Sequence, residues 1–223
     1  MFENLKVERL FDLDRTIAKD IFCGHTYPWE VLPKIKAFII ELGKTLSEDK
    51  FYEYKENVWI ARSCKLYPNI YIDGPCIIDE DTEIRPGAFI RGSVIVGKNC
   101  VIGNSTELKN CIIFDSVQVP HFNYVGDSIL GYKSHIGAGG VTSNVKSDKS
   151  LVVLNINGET IETGFKKFGA MVGDYVEVGC NSVLNPGTIV GRNSNIYPTS
   201  CVRGFVPENS IYKATRGISK KNT

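Results

Sequence analysis

Three histidines, His25, His121 and His135, carry the ring whose ordinary pKa of about 6.5 lets it move a proton near neutrality or ligate a metal. A catalytic zinc takes three protein ligands and a closed one four. Here His25 lies outside the repetitive part of the chain, and His121 and His135 are fourteen residues apart without a close pair, so no metal is expected. Seven cysteines include no CxxC pair, and an odd total favours reduced thiols. The Asp12–Asp14 pair reads as a solvated helix start rather than as metal or phosphate chemistry.

What must position these groups is a repeat. Aliphatic residues return at every sixth position as Ile60, Leu66, Ile72, Ile78, Ile84, Ile90, Val96, Ile102 and Leu108, and again from Val172 to Val202. That period belongs neither to an amphipathic helix nor to a half-buried strand. It predicts a mainly β fold, a parallel β-helix of triangular coils stacked about 4.8 Å apart. Two residues before each aliphatic stands a small or β-branched residue, among them Val58, Thr82, Ala88 and Val94; Cys64, Cys76, Cys100 and Cys111 fall in this inward column as small hydrophobes. Glycines that follow the aliphatics, such as Gly97, Gly103, Gly126 and Gly137, are expected at corners requiring a positive φ.

Residues 1–55 lack the rhythm. Val31, Leu32, Ile35, Phe38, Ile39, Leu42 and Leu46 predict an amphipathic helix starting near Pro28 and Pro33, with a shorter helix at 12–21 before it. The segment is expected to cap the open edge of the first coil. The β-helix proper is expected over 56–209. Its register slips after Leu108, giving two five-residue sides around PHFNYVGDS, the kind of irregularity that re-aims side chains. An insertion at 146–169, with Asn157-Gly158 as a type I′ hairpin turn, is expected to protrude. Residues 210–223 read as a basic, frayed tail. A formal charge of +1 and the lack of a long apolar run argue against a nucleic-acid or membrane partner, and a cytoplasmic protein is expected.

The run His121-Phe122-Asn123-Tyr124-Val125-Gly126-Asp127, followed by His135-Ile136-Gly137-Ala138-Gly139, resembles the acetyltransferase domain of the bacterial bifunctional glucosamine-1-phosphate acetyltransferase/N-acetylglucosamine-1-phosphate uridyltransferase. Glu107-Leu108-Lys109 lies at the matching distance upstream. The insertion, and Tyr27-Pro28-Trp29-Glu30-Val31-Leu32 before the coils, are similar to the archaeal sugar-1-phosphate nucleotidyltransferase/acetyltransferases. The resemblance covers roughly residues 26–210. It implies a left-handed coil, a homotrimer with its active site between subunits, and acetyl-CoA as acyl donor to an amino-sugar phosphate or nucleotide-linked amino sugar. No match to the glycine-rich nucleotide loop occurs, so nucleotidyltransferase activity is not expected of this chain.

By the same resemblance His121 is the general base, while Lys109, Tyr124, an arginine, His135 and Asn144 hold the sugar. Cys180, Pro198 and Arg216 lie toward the acyl-CoA, with Lys213, Lys220 and Lys221 as further candidates for its phosphates. The family's R-P-G-A motif is matched by Arg85-Pro86-Gly87-Ala88, but the ungapped count from His121 favours Arg91. His135 replaces an asparagine of the family and Cys180 a serine, a weaker donor. Plainer readings stand beside these: an exposed corner histidine, a tyrosine in subunit packing, a solvated lysine. Two rival functions follow, a non-catalytic trimeric binding module, and a metalloenzyme resembling the γ-class carbonic anhydrases.

Overall fold

The computed structural model describes residues 2–156, 158–214 and 217–221, and they form the expected prism of stacked coils. Val58 pairs in parallel with Cys76 and Cys76 with Val94, so a regular coil is 18 residues; Cys111 then pairs with Val94 and with Ser128, two coils of 17. The first face carries strands such as Cys76–Ile78, Val94–Val96 and Thr188–Val190. The second carries Glu83–Ile84, Gln118–His121 and His135–Ile136, and the third Phe89–Ile90 and Val141–Thr142. The shortened sides are the strands Glu107–Ile113 and Tyr124–Leu130, which round the corner from third face to first without a break. Inside, the aliphatic column is buried almost throughout, as are Cys76, Cys100 and Cys111. The inward threonines Thr82 and Thr106 donate to the carbonyls of Gly97 and Val119 (2.8 and 3.1 Å), so their hydroxyls are satisfied in the core.

The corner glycines serve a different purpose from the one expected. Gly97, Gly103, Gly126 and Gly137 do not adopt positive φ; outside other glycines the left-handed positions fall mainly to Asn, Ser and Asp, such as Asn99, Ser105 and Asn110. At Gly103 a Cβ would overlap the Pro120 carbonyl of the next coil. Glycine is needed there because backbone approaches backbone.

The N-terminal segment meets expectation in part: it caps the first coil, but with a strand and not with its helices. The edge of the first coil is covered by strand Phe51–Lys55, antiparallel to Val58–Ala61. The helices instead form a strap along the first face. Its outward column, Ile77, Ile95, Ile112, Ile129, Met171 and Ile189, is fully buried. The 3-10 helix Pro28–Lys34 packs on Tyr124–Leu130, and the α-helix Ile35–Gly43 packs on Cys76–Ile78, Val94–Val96 and Glu107–Ile113. Each isoleucine so covered contributes about 1.5–3 kcal/mol. Pro33, lacking an N–H, keeps the first turns from becoming α-helical. Gly43 ends the helix where a Cβ would collide with the Trp59 indole. Residues 12–21 form no single helix but the separate 3-10 turn Leu13–Arg15 and the start of Lys19–Phe22. Phe11 lies tilted on Phe114 (5.1 Å) and Phe22 meets it edge-on (6.1 Å), while Trp29 lies tilted on Phe168 at 5.7 Å.

The insertion leaves the wall after Asn144 and rejoins at Phe168, whose N–H donates to the Asn144 carbonyl (2.9 Å). Val153–Ile156 and Glu159–Glu162 form its hairpin. Rather than standing clear, the hairpin lies back on the wall: Val152, Leu154 and Ile156 are buried, and a Cβ on Gly187 would come within 2.8 Å of Val152 and Leu154. Alternating apolar residues give one strand a sticky face, which is why it does not project. Gly158 takes φ +83°, while Asn157 lies outside the described residues. Among the described residues of the tail, expected to fray, Ser210–Lys213 pairs antiparallel with Gly217–Lys220 and extends the second face. Among the described residues no helix is long and apolar enough to cross a membrane.

Candidate functional site

Two corners border the third face. At the corner with the second face, Asn104, His121, Ala138, Cys180 and Pro198 stand above one another on successive coils: His121 pairs with Asn104, and the N–H groups of Gly139, Asn181 and Thr199 continue the ladder to the carbonyls of His121, Ala138 and Cys180. Cys180 is thus two rungs, about 10 Å, from His121. The His121 ring is exposed and makes no hydrogen bond or ion pair among the described residues. Its backbone is held firmly by the buried Asn123, whose Oδ1 accepts from the His121 N–H (3.0 Å) while Nδ2 donates to the Gly137 and Gly140 carbonyls (2.8 and 3.1 Å). Between them Phe122 takes φ +52° and is 65% exposed, a strained position for an aromatic residue.

At the corner with the first face, the centre is Asp127, only 4% exposed. Asn110 from the coil below donates to its Oδ1 (2.8 Å), Asn144 from the coil above donates to Oδ2, and the Lys109 amine lies 3.6 Å from Oδ2. Asn144 also donates to the Tyr124 hydroxyl (3.2 Å). Burial, and secondarily the Asp127 carboxylate, push the Tyr124 phenol above its ordinary pKa. Tyr124 folds over Gly126, where any Cβ would strike its ring and hydroxyl. Arg91, one coil below Lys109, is bound to Glu107 at 2.6 Å. Both cations expected to hold a phosphate therefore already face a carboxylate.

Lys109, Tyr124, Asn144 and Arg91 are brought together at this corner, and Tyr124 stands between them and His121 on the third face. Arg85 lies at the opposite corner, two coils below Pro120, and pairs with Glu83 (3.2 Å), so it does not join Lys109. His135 is mid-way along the second face with its Nδ1 on Glu177 (2.8 Å), away from His121. Arg216 lies outside the described residues. Among the described residues no three His, Cys, Asp or Glu side chains gather to hold a metal. Asp127 and Asn110 carry no role in the sequence reading. The two five-residue sides mark their corner, but nothing in the pattern says that an outward aspartate is buried.

Residues 72–211 match the family described as the GMPPB C-terminal domain. The chain is 34% identical over 175 residues to the bifunctional protein GlmU of Methanococcus aeolicus, covering 70% of this chain and 42% of that one. It is 32% identical over 164 residues to a bifunctional sugar-1-phosphate nucleotidylyltransferase/acetyltransferase of Sulfurisphaera tokodaii, covering 65% and 41%. The chain thus spans less than half the length of these curated relatives. A solved structure of PerB from Caulobacter crescentus, in complex with CoA and GDP-perosamine, covers 72% of this chain and 56% of its own at 15% identity. Its TM-score of 0.30 is too low to bear on this chain's site. The match runs over most of the coil stack, and the chain belongs to the GMPPB C-terminal domain family, in its GlmU-like, hexapeptide-repeat form.

Proposed function

We propose that this chain is an acyl-CoA-dependent N-acyltransferase acting on an amino-sugar phosphate or nucleotide-linked amino sugar, at a seam between copies of a trimer. The observation that carries it is the uncommitted, exposed His121 on the corner column of Cys180 and Pro198, beside the face that holds Tyr124. The sugar amine attacks the thioester carbonyl, His121 accepts the proton lost by nitrogen, and the C–N bond forms. Collapse of the tetrahedral oxyanion breaks the C–S bond and releases CoA, whose thiolate takes the proton back from His121.

The seam is supported by the chemistry of the faces. The strap covers the first face, and the second turns Lys65, Glu83, Gln118, His135 and Glu177 outward. The third presents Tyr71, Phe89, Glu107, Tyr124, Val141 and Val183 in one row, with Tyr71 54% and Phe89 39% exposed and the Glu107 carboxylate held by Arg91. A largely apolar row whose one carboxylate is already paired is a surface for protein.

The test is release of free CoA from acetyl-CoA with a panel of amino-sugar phosphates. Turnover by the wild type, lowered about 10²–10⁴-fold in His121→Ala, is the expected result; no turnover with any acceptor rejects the reading. A second reading, a binding module without catalysis, is favoured by the Arg91–Glu107 and Lys109–Asp127 pairs, which leave little free positive charge for a phosphate. It expects CoA to bind the wild type and His121→Ala alike, with neither turning over.

A further inference from the structure

A guanidinium that faces no carboxylate among the described residues, that of Arg203, is found further up the same edge. The corner column that holds Arg91 and Lys109 continues through Ser143 and Asn185 to Arg203. There the insertion hairpin lies over the wall and leaves a groove of about 330 Å³ between them. Lys146 and Arg203 line it, and among the described residues no carboxylate does. Arg203 makes no ion pair or hydrogen bond among the described residues; Lys146 lies 2.6 Å from the Ser150 hydroxyl and 3.7 Å from Asp148. Gly187 and Gly204, both at positive φ (+79° and +73°), line the wall side; Val152 and Leu154 of the hairpin fill the space over Gly187, while over Gly204 a Cβ would meet only the Asn155 carbonyl, at 3.7 Å. Leu154 gives the hairpin side an apolar wall.

We infer that this groove is a binding site for a phosphate-bearing group, the Arg203 guanidinium and Lys146 ammonium replacing its hydration with charge-assisted hydrogen bonds. Lys146 is two residues beyond Asn144, which touches Tyr124 and Asp127. An extended ligand seated by its phosphates in the groove therefore runs down the edge toward the Tyr124 corner. The inference deepens the proposed activity, since both of its substrates carry phosphate. The same chemistry serves the nucleotide arm of an acyl-CoA and the diphosphate of a nucleotide sugar.

Calorimetric titration of the full chain with CoA, UDP and inorganic pyrophosphate tests it, on the wild type, Arg203→Gln and Lys146→Gln/Arg203→Gln. At least one probe is expected to bind the wild type, about tenfold more weakly to the single variant and beyond detection to the double, with unchanged melting temperatures. Loss confined to CoA assigns the groove to the donor, loss confined to UDP to the acceptor, and loss of pyrophosphate alone to a phosphate-only subsite. Binding of no probe by the wild type, or equal binding by the double variant, overturns the inference. Because binding is read rather than turnover, the groove stands or falls apart from His121.

Discussion

At the residue scale the Tyr124 corner is a matter of clearance. Gly126 occupies the column that elsewhere carries Arg91, Lys109 and Ser143, and it is glycine because the Tyr124 ring and hydroxyl fill the space its Cβ would take. Gly126→Ala is expected to cost about 1–3 kcal/mol by overpacking, and most of that cost should vanish in a Tyr124→Ala background. Thermal or urea unfolding of the four proteins measures the coupling; additive losses would show that the glycine answers to something other than Tyr124. The types at this corner were legible in sequence, because Lys109 and Tyr124 fall at motif distances and Asn144 followed from the same family resemblance. The hub was not. Asp127 looks like any outward corner aspartate until Asn110 below and Asn144 above are seen to close over it, and that depends on coils 17 residues apart being stacked.

At the element scale the strap is latched to the wall by a buried carboxylate. Asp174 accepts the N–H groups of Asp12 and Tyr132 (both 2.8 Å) and faces Arg192 at 3.2 Å, while its own N–H donates to the Leu10 carbonyl (3.1 Å). Burial, only partly offset by Arg192 and those N–H groups, pushes its pKa up to about 6. A carboxyl whose folded value is raised stabilises the fold fully below its unfolded value and loses that contribution as pH rises through the folded one. From this group alone, stability falls by roughly 3 kcal/mol between about pH 4 and 6. Asp174→Asn removes that component, so its stability should rise relative to wild type across the window, whatever its absolute loss. Denaturant unfolding at several pH values reads the difference; parallel curves would remove Asp174 from the titration. The strap shows why its path was hidden from sequence. Helical spacing from Val31 to Leu46 reveals an apolar stripe without naming the surface it meets. The clue lay in the wall, where Ile77, Ile95, Ile112 and Ile129 are outward yet apolar.

At the scale of the whole molecule, the six-residue period specified the prism because every coil repeats the same contact with its neighbour. The insertion and tail escaped it, since Val152, Leu154 and Ile156 alternate as any strand does and only their burial against Gly187 fixes their direction. Assembly is the property this scale predicts. Phe89→Glu sets a second carboxylate directly beside Glu107 in the row of the third face, and sedimentation is expected to show the proposed trimer replaced by monomer without loss of secondary structure. A wild type that sediments as a monomer, or a variant that remains trimeric, removes the third face as the seam. A plain stack of rungs can peel from either end, because each rung holds only the next. Here residues 2–43 reach from the strand Cys76–Ile78, on which the helix Ile35–Gly43 packs, to Glu208, which Arg9 meets at 3.2 Å. They act as a tie-rod along the column, coupling the rungs chiefly through the buried isoleucine row and only weakly through the exposed Arg9–Glu208 pair.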